Sequence, residues 1–213
     1  MYNRTRWVVF LLGLTGNIAC GKSTVGQLLA DRFGAEYVDA DHLVHALYAA
    51  GTLETTAIAD RFGRDLLKDD QTIDRRRLGD MVLSDRAALS ALEAILNPGV
   101  RRAIEDRIAR ASAPVLVLDA IRLIETGLAE RCDTVWVVVC DQEAQKQRLQ
   151  MSRSMTEEQA ALRIAAQVPA EAKLRHANAV ITNDGNLDDL TQQVEAAWRD
   201  TVASRLPRSG ETP

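Results

Sequence analysis

The chain of 213 residues carries 26 basic and 30 acidic side chains, a formal net charge of −4, and is 46% apolar, 26% charged and 4% aromatic. That balance argues against a nucleic-acid partner held by bulk electrostatics, and so few aromatics leave little for base stacking or a membrane belt. No stretch reaches the ~18–20 apolar residues of a membrane span, so a globular α/β chain with neither nucleic acid nor membrane as partner is expected.

Arg4 and Arg6 precede the apolar run WVVFLLGL, which imitates a short signal peptide with Cys20 as a mock lipoprotein site. The run is only eight residues, Asn17 stands where such a site needs an aliphatic residue, and a phosphate loop follows directly. Trp7–Leu14 therefore reads as a buried strand of a parallel sheet. Helical spacing predicts a helix over Lys22–Phe33 stopped by Gly34, then a strand at Tyr37–Asp39 and a helix at His42–Ala50. Leu53–Arg110 reads as mostly helical, with breaks at Gly63, near Asp69–Thr72, and at Asn97–Pro98–Gly99. After Pro114, VLVLDA is a second buried strand, Trp136–Cys140 a third and Ala179–Thr182 a fourth. Helices are predicted at Gln142–Met151, Thr156–Ala166, Ala170–His176 and roughly Leu187–Ser204, with a frayed LPRSGETP end.

Strands alternating with helices predict a parallel sheet wrapped on both faces, and the helical excursion between Asp41 and Pro114 is the expected substrate-binding insertion. Cys20, Cys132 and Cys140 show no CxxC or metal spacing. A disulfide framework or zinc site is not expected, a reducing cytoplasm fits, and Cys140 reads as a small core residue.

The strongest signal is GNIACGKS, Gly16 through Asn17, Ile18, Ala19, Cys20, Gly21 and Lys22 to Ser23, which matches G-x-x-x-x-G-K-[ST] between a strand and a helix. Gly16 and Gly21 permit positive φ and close approach of phosphate oxygens. Successive N–H groups, with the positive end of the helix through Thr24, make an anion cradle. Lys22 reaches the β- and γ-phosphates of ATP, and the Ser23 hydroxyl is a Mg²⁺ ligand. Cys20 reads either as a small filler or as a thiol activated by Lys22 and the loop amides.

No Asn-Lys-x-Asp segment for guanine is present, and a small chain with an early phosphate loop favours a metabolite kinase. Asp39 and Asp41, at i and i+2 of an extended segment, would share a face toward the phosphates, one taking the acceptor's proton and the other serving Mg²⁺. The bland alternative is an acidic turn with an N-cap at Asp41. Lys146, Arg148, Arg153 and Arg163 suit a mobile helical flap that closes on the triphosphate, against an ordinary solvated helix surface. Asp119 reads equally as a metal-side acid or an acceptor contact. Of Arg75–Arg77, Arg77 is the candidate to meet an anionic acceptor; the three histidines have no ligand spacing.

Together GLTGNIACGKSTV, YVDADHLV, DRFGRDLL, DRRRLGDMVLSD, LEAILNP, QKQRLQMSR, RIAAQVP and AVITNDG resemble the dephospho-CoA kinase family over almost the whole chain. The resemblance implies a P-loop NTPase-type fold with a core at 1–41, 114–142 and 173–205, a helical CoA-binding part at about 42–113 and a helical lid at about 143–172. It implies transfer of the ATP γ-phosphate to the ribose 3′-hydroxyl of dephospho-CoA. Asp41 looks like the residue that activates that hydroxyl, Asp39 a metal support, Arg148 and Arg153 lid arginines, and Asn183 with Gly185 the adenine-side loop. Two departures stand out: Asn97-Pro98 in place of His-Pro, and Asp119-Ala-Ile-Arg-Leu-Ile-Glu125 in place of Pro-Leu-Leu followed by Glu. Arg122 in that segment is a candidate for an acceptor phosphate or for pairing with Glu125. Oligomeric state is left open, with a monomer as the working expectation. The alternatives are a kinase of a nucleoside monophosphate or shikimate type and a non-catalytic nucleotide-binding regulator.

Overall fold

The computed structural model describes residues 9–83 and 85–206. They fall into two compact units, one from residues up to Val38 and from Ala111 onward, the other Asp39–Arg110. The stretch at Trp7–Val8, the paired arginines before it and most of LPRSGETP lie outside the described residues.

The first unit is built on a five-stranded sheet in the order β2-β3-β1-β4-β5. β1 (Phe10–Thr15) runs parallel to β3 (Val115–Asp119) and to β4 (Thr134–Val139), and β4 runs parallel to β5 (Ala179–Thr182). β2 (Glu36–Asp39) completes the edge beside β3. β1 and β3 are buried at every position, as strands covered on both faces must be, which is why they read as unbroken apolar runs. Leu12, Leu14, Val117, Trp136 and Val138 are fully buried in one core. Trp136 keeps its indole N–H satisfied by donating to Thr201 Oγ1 at 2.9 Å.

α1 (Lys22–Phe33) packs on this core and ends at Gly34 in the left-handed region (φ 66°), a glycine stop legible in sequence. Beyond β4 come α6 (Gln142–Arg153), α7 (Glu157–Ala165) and α8 (Ala170–Leu174), and after β5 comes α9 (Leu187–Trp198), which continues as a π-helical turn over Arg199–Ala203. The predicted third strand shifts: β4 stops at Val139, so Cys140 sits just past the strand's carboxyl end, half-buried at the core's edge rather than inside it.

The second unit holds α2 (Ala40–Leu47), α3 (Leu53–Phe62), α4 (Arg75–Leu83) and α5 (Arg86–Arg110) around Ile58, Leu66, Ile73, Leu78, Leu92 and Leu96. The breaks at Gly63 (φ 116°) and before α4 are observed. The break expected at Asn97–Pro98–Gly99 is not: α5 runs through Pro98 without interruption. Proline ordinarily costs an interior hydrogen bond. Here buried Ala88, Leu92, Leu96, Val100 and Ile104 mark one apolar face on both sides of Pro98. Gly99 adds a close approach, since a Cβ there would run into the Glu54 carboxylate and Leu47.

Candidate active site

At the carboxyl end of β1 the chain turns through Gly16 at φ 148° and Gly21 at φ 94° into α1. Side chains are excluded at both: a Cβ on Gly16 would strike the Val138 carbonyl, and one on Gly21 the Asn183 amide. α1 starts without a side-chain cap and without an acidic residue in its first turn. Helix geometry leaves the first-turn N–H groups without intrahelical partners, so the loop presents donors and the positive helix end to an anion. Lys22 lies over the loop, its amine donating to the Asn17 carbonyl at 3.4 Å, and the Ser23 and Thr24 side chains are at the exposed rim.

The outer part of the loop is held by groups far away in sequence. Asn183 donates its side-chain N–H to the Cys20 carbonyl at 2.9 Å. Arg148 donates one guanidinium N–H to the Asn183 carbonyl at 2.8 Å and another to the Ala19 carbonyl at 3.3 Å. Arg148 and Asn183, two residues singled out in the sequence, thus meet at the phosphate loop. Gly185 lies two residues on, packed closely against Asp189.

Three further contacts involve residues that the sequence analysis does not single out. The Ile18 N–H donates to Gln167 Oε1 at 2.7 Å, the Ile18 carbonyl accepts from Gln145 Nε2 at 2.8 Å, and Asn17 Nδ2 donates to the Val168 carbonyl at 3.3 Å. Ile18 also packs with Leu149, Ala160 and Ile164 in a small apolar cluster of its own. Gln145 is one turn before Leu149 on α6, so a polar side chain on the apolar face was the available clue. The other basic residues of this segment differ in their surroundings. Lys146 is ion-paired with Glu143 and Glu157, each at 3.2 Å, which raises its pKa, while Arg153 and Arg163 are exposed.

On the other side of β1, Leu14 pairs in register with Asp119, whose buried carboxylate accepts the Tyr37 hydroxyl at 2.8 Å. Beyond it, residues 121–127 form consecutive turns, pinned where the Ile121 carbonyl accepts from Thr15 Oγ1 and from Lys173 Nζ. Lys173, 2% exposed, pairs with Glu125 at 2.6 Å. Arg122 is exposed on this segment.

Within the second unit, Asp39 caps α2: its Oδ1 accepts the Asp41 N–H at 2.8 Å and its other oxygen lies 3.5 Å from His42 Nδ1. This corrects the extended i, i+2 geometry expected for the pair. Capture of the Asp41 N–H turns the chain into a helix, so Asp41 is in the first turn of α2, exposed, and the cap is Asp39 rather than Asp41. Arg77 is engaged by the Asp65 carbonyl and carboxylate.

The residues fit a nucleotide with Mg²⁺. Among the described residues no group of three or more His, Cys, Asp or Glu could hold a metal by itself. A hydroxyl at the loop's rim suits an ion held mainly by substrate phosphates and water, the usual mode for Mg²⁺. Among the described residues no helix is long and apolar enough to cross a membrane.

The family model described as dephospho-CoA kinase matches residues 10–189. A dephospho-CoA kinase of Symbiobacterium thermophilum is 43% identical over 192 residues, covering 89% of this chain and 80% of the relative. Among solved structures, a Thermus thermophilus protein superposes with a TM-score of 0.79 at 30% identity, over 92% of this chain and 99% of that one. The dephospho-CoA kinase of Campylobacter jejuni does so with 0.64 at 26%, over 89% and 96%.

Proposed function

The chain belongs to the dephospho-CoA kinase family, and we propose that it transfers the γ-phosphoryl group of ATP to the ribose 3′-hydroxyl of dephospho-CoA, releasing coenzyme A and ADP. The observation that carries this reading is the braced loop at Gly16–Ser23, with Arg148 and Asn183 meeting on its outer side.

The chain's part in the reaction is chiefly positioning and charge neutralisation, because phosphoryl transfer asks little covalent chemistry of the protein. The N–H groups from Ala19 to Thr24 cradle the β- and γ-phosphates, and the Lys22 amine, on a flexible stem, follows the charge as it moves toward the leaving oxygen. Ser23, with Asp39 in support, would hold Mg²⁺, which would supply positive charge to offset that of the phosphates. Asp41 accepts the proton of the attacking hydroxyl; its exposed first-turn carboxylate on α2 supports that role. Arg148 and Arg153 act on the triphosphate, Asn183 and Gly185 on the adenine side. Asp119, Arg122 and Arg77 are the acceptor-side contacts in this reading. The Tyr37 hydroxyl holds the Asp119 carboxylate, and the Lys173–Glu125 pair holds the segment that carries Arg122. Three free cysteines suit a reducing cytoplasm, and a single chain is the proposed working unit.

A coupled ADP-release assay with dephospho-CoA, adenylate and shikimate offered separately tests the proposal. Release stimulated by dephospho-CoA alone is expected; release with another acceptor, or none with any, would overturn it.

A further inference from the structure

Cys20 and Cys140 are remote in sequence, yet the fold sets them side by side where the phosphate loop passes the end of β4. Cys140 Sγ lies 4.0 Å from the Ala19 carbonyl oxygen, which belongs to the peptide unit joining Ala19 to Cys20. Both cysteines, with Gly16, Asn17 and Lys173, line one small cavity. Cys20 is 3% exposed, Cys140 is half-buried, and both are free.

We propose that Cys20 and Cys140 form an oxidation site at which a hydroperoxide closes a reversible disulfide across the phosphate loop and so switches nucleotide binding off.

The surroundings assign each sulfur a part. The Cys20 thiol is held down to about 7, first by the hydrogen bond from the Cys140 thiol and then, against the opposing effect of burial, by the Lys22 charge, the Cys140 N–H and the Arg148 charge. The same contact and its own burial push the Cys140 thiol up. Cys20 is therefore the thiolate nucleophile and Cys140 the proton-bearing partner that resolves. In the first step the Cys20 thiolate attacks one oxygen of hydrogen peroxide. The S–O bond forms, the O–O bond breaks, and the departing hydroxide takes a proton from the solvent to become water. In the second, the Cys140 sulfur attacks the Cys20 sulfenic acid. The S–S bond forms, the S–O bond breaks, and the hydroxyl leaves as water with the Cys140 proton. Two thiols and one peroxide become one disulfide and two waters; the sulfurs give up two electrons and the peroxide accepts them.

A disulfide fixes the sulfurs about 2 Å apart, well inside any non-bonded separation of two sulfur atoms. Closing it draws Cys20 toward β4 and re-aims the neighbouring N–H groups. Displacement of a positioning group by about 1 Å costs on the order of 10²-fold in rate, and the displaced N–H groups are also the ones that hold the nucleotide. Cys132 has no part in this: it packs against Gly13 of β1, and burial first, then Asp133, pushes its thiol up to about 12.

The test treats the reduced full chain with hydrogen peroxide and reads peptide maps, free thiols and ATP binding. A Cys20–Cys140 linked peptide, one remaining thiol of the three, and a loss of ATP affinity that dithiothreitol restores are expected. Saturating ATP should slow the linkage. Cys132→Ser should behave as the unaltered chain, and Cys140→Ser should keep basal activity and give no linked peptide. Mapping that leaves Cys20 and Cys140 unlinked, or a linked chain with unchanged ATP affinity, would overturn the proposal. Neither readout uses the acceptor, so a chain that links as expected but does not phosphorylate dephospho-CoA overturns the kinase reading alone.

Discussion

Gln145 donates its side-chain amide to the Ile18 carbonyl at 2.8 Å from a position 5% exposed, tying α6 to the apex of the phosphate loop. Gln167 answers from beyond α7 by accepting the Ile18 N–H at 2.7 Å. The two glutamines thus satisfy both backbone groups of one loop residue, as a neighbouring strand would. The helical segment after β4 and the loop consequently share one hydrogen-bond network, and rearranging one disturbs the other.

Gln145→Leu keeps the volume and loses the donor. A buried carbonyl left without a partner costs roughly 1–3 kcal/mol, so urea unfolding should show a stability loss of that size. The KM for ATP should rise while the acceptor KM stays level. Equal changes in both would mean that Gln145 supports the fold generally and not the loop.

The contrast between this clamp and the loop itself explains what was legible in the chain. The phosphate loop demands glycine where φ is positive, and a Lys-Ser pair at fixed spacing, so its residues announce themselves. Glutamines at 145 and 167 carry no such constraint, because any amide within reach satisfies Ile18, and only the fold decides which. The same holds for Tyr37 on Asp119 and for Lys173 on Glu125. Buried strands were readable from their unbroken apolar runs. Pro98 was misleading because local rules end a helix there, whereas the apolar face from Ala88 to Ile104 is a tertiary effect. The Asp39–Asp41 pair departs from extended geometry for a related reason: an aspartate that caps its own chain two residues on converts an extended pair into a helix start.

Asp41→Asn removes the proposed proton acceptor while keeping shape and α2 intact, since the cap belongs to Asp39. The kcat for dephospho-CoA should fall by about 10²-fold or more, the scale for a positioned base, with the ATP KM little changed. An unaltered kcat, measured by ADP release at saturating substrates, would remove Asp41 from the mechanism. Lys22→Ala should cripple turnover in a chain whose circular dichroism is unchanged.

Arg122→Ala addresses the acceptor segment. Arg122 is exposed on a run of turns held from below by Lys173 and Thr15. A guanidinium that meets an acceptor phosphate predicts a higher KM for dephospho-CoA and an unchanged KM for ATP. If initial-rate kinetics find both values unchanged, Arg122 makes no contact with the acceptor.

Lys173→Met tests the support beneath that segment. The Lys173 side chain is 3% exposed and its partner Glu125 20%, and the same amine also serves the Ile121 carbonyl at 2.6 Å. Removing one partner of a buried pair leaves the other charge uncompensated, at a cost of roughly 3–5 kcal/mol. Partial exposure of Glu125 places the expected loss toward the lower end. Lys173→Met with Glu125→Gln together should recover much of it, because no charge is then stranded. Equilibrium urea denaturation of the two single variants and the double variant gives the coupling directly. Strict additivity would mean that the two side chains contribute independently and that Ile121 alone is what Lys173 holds.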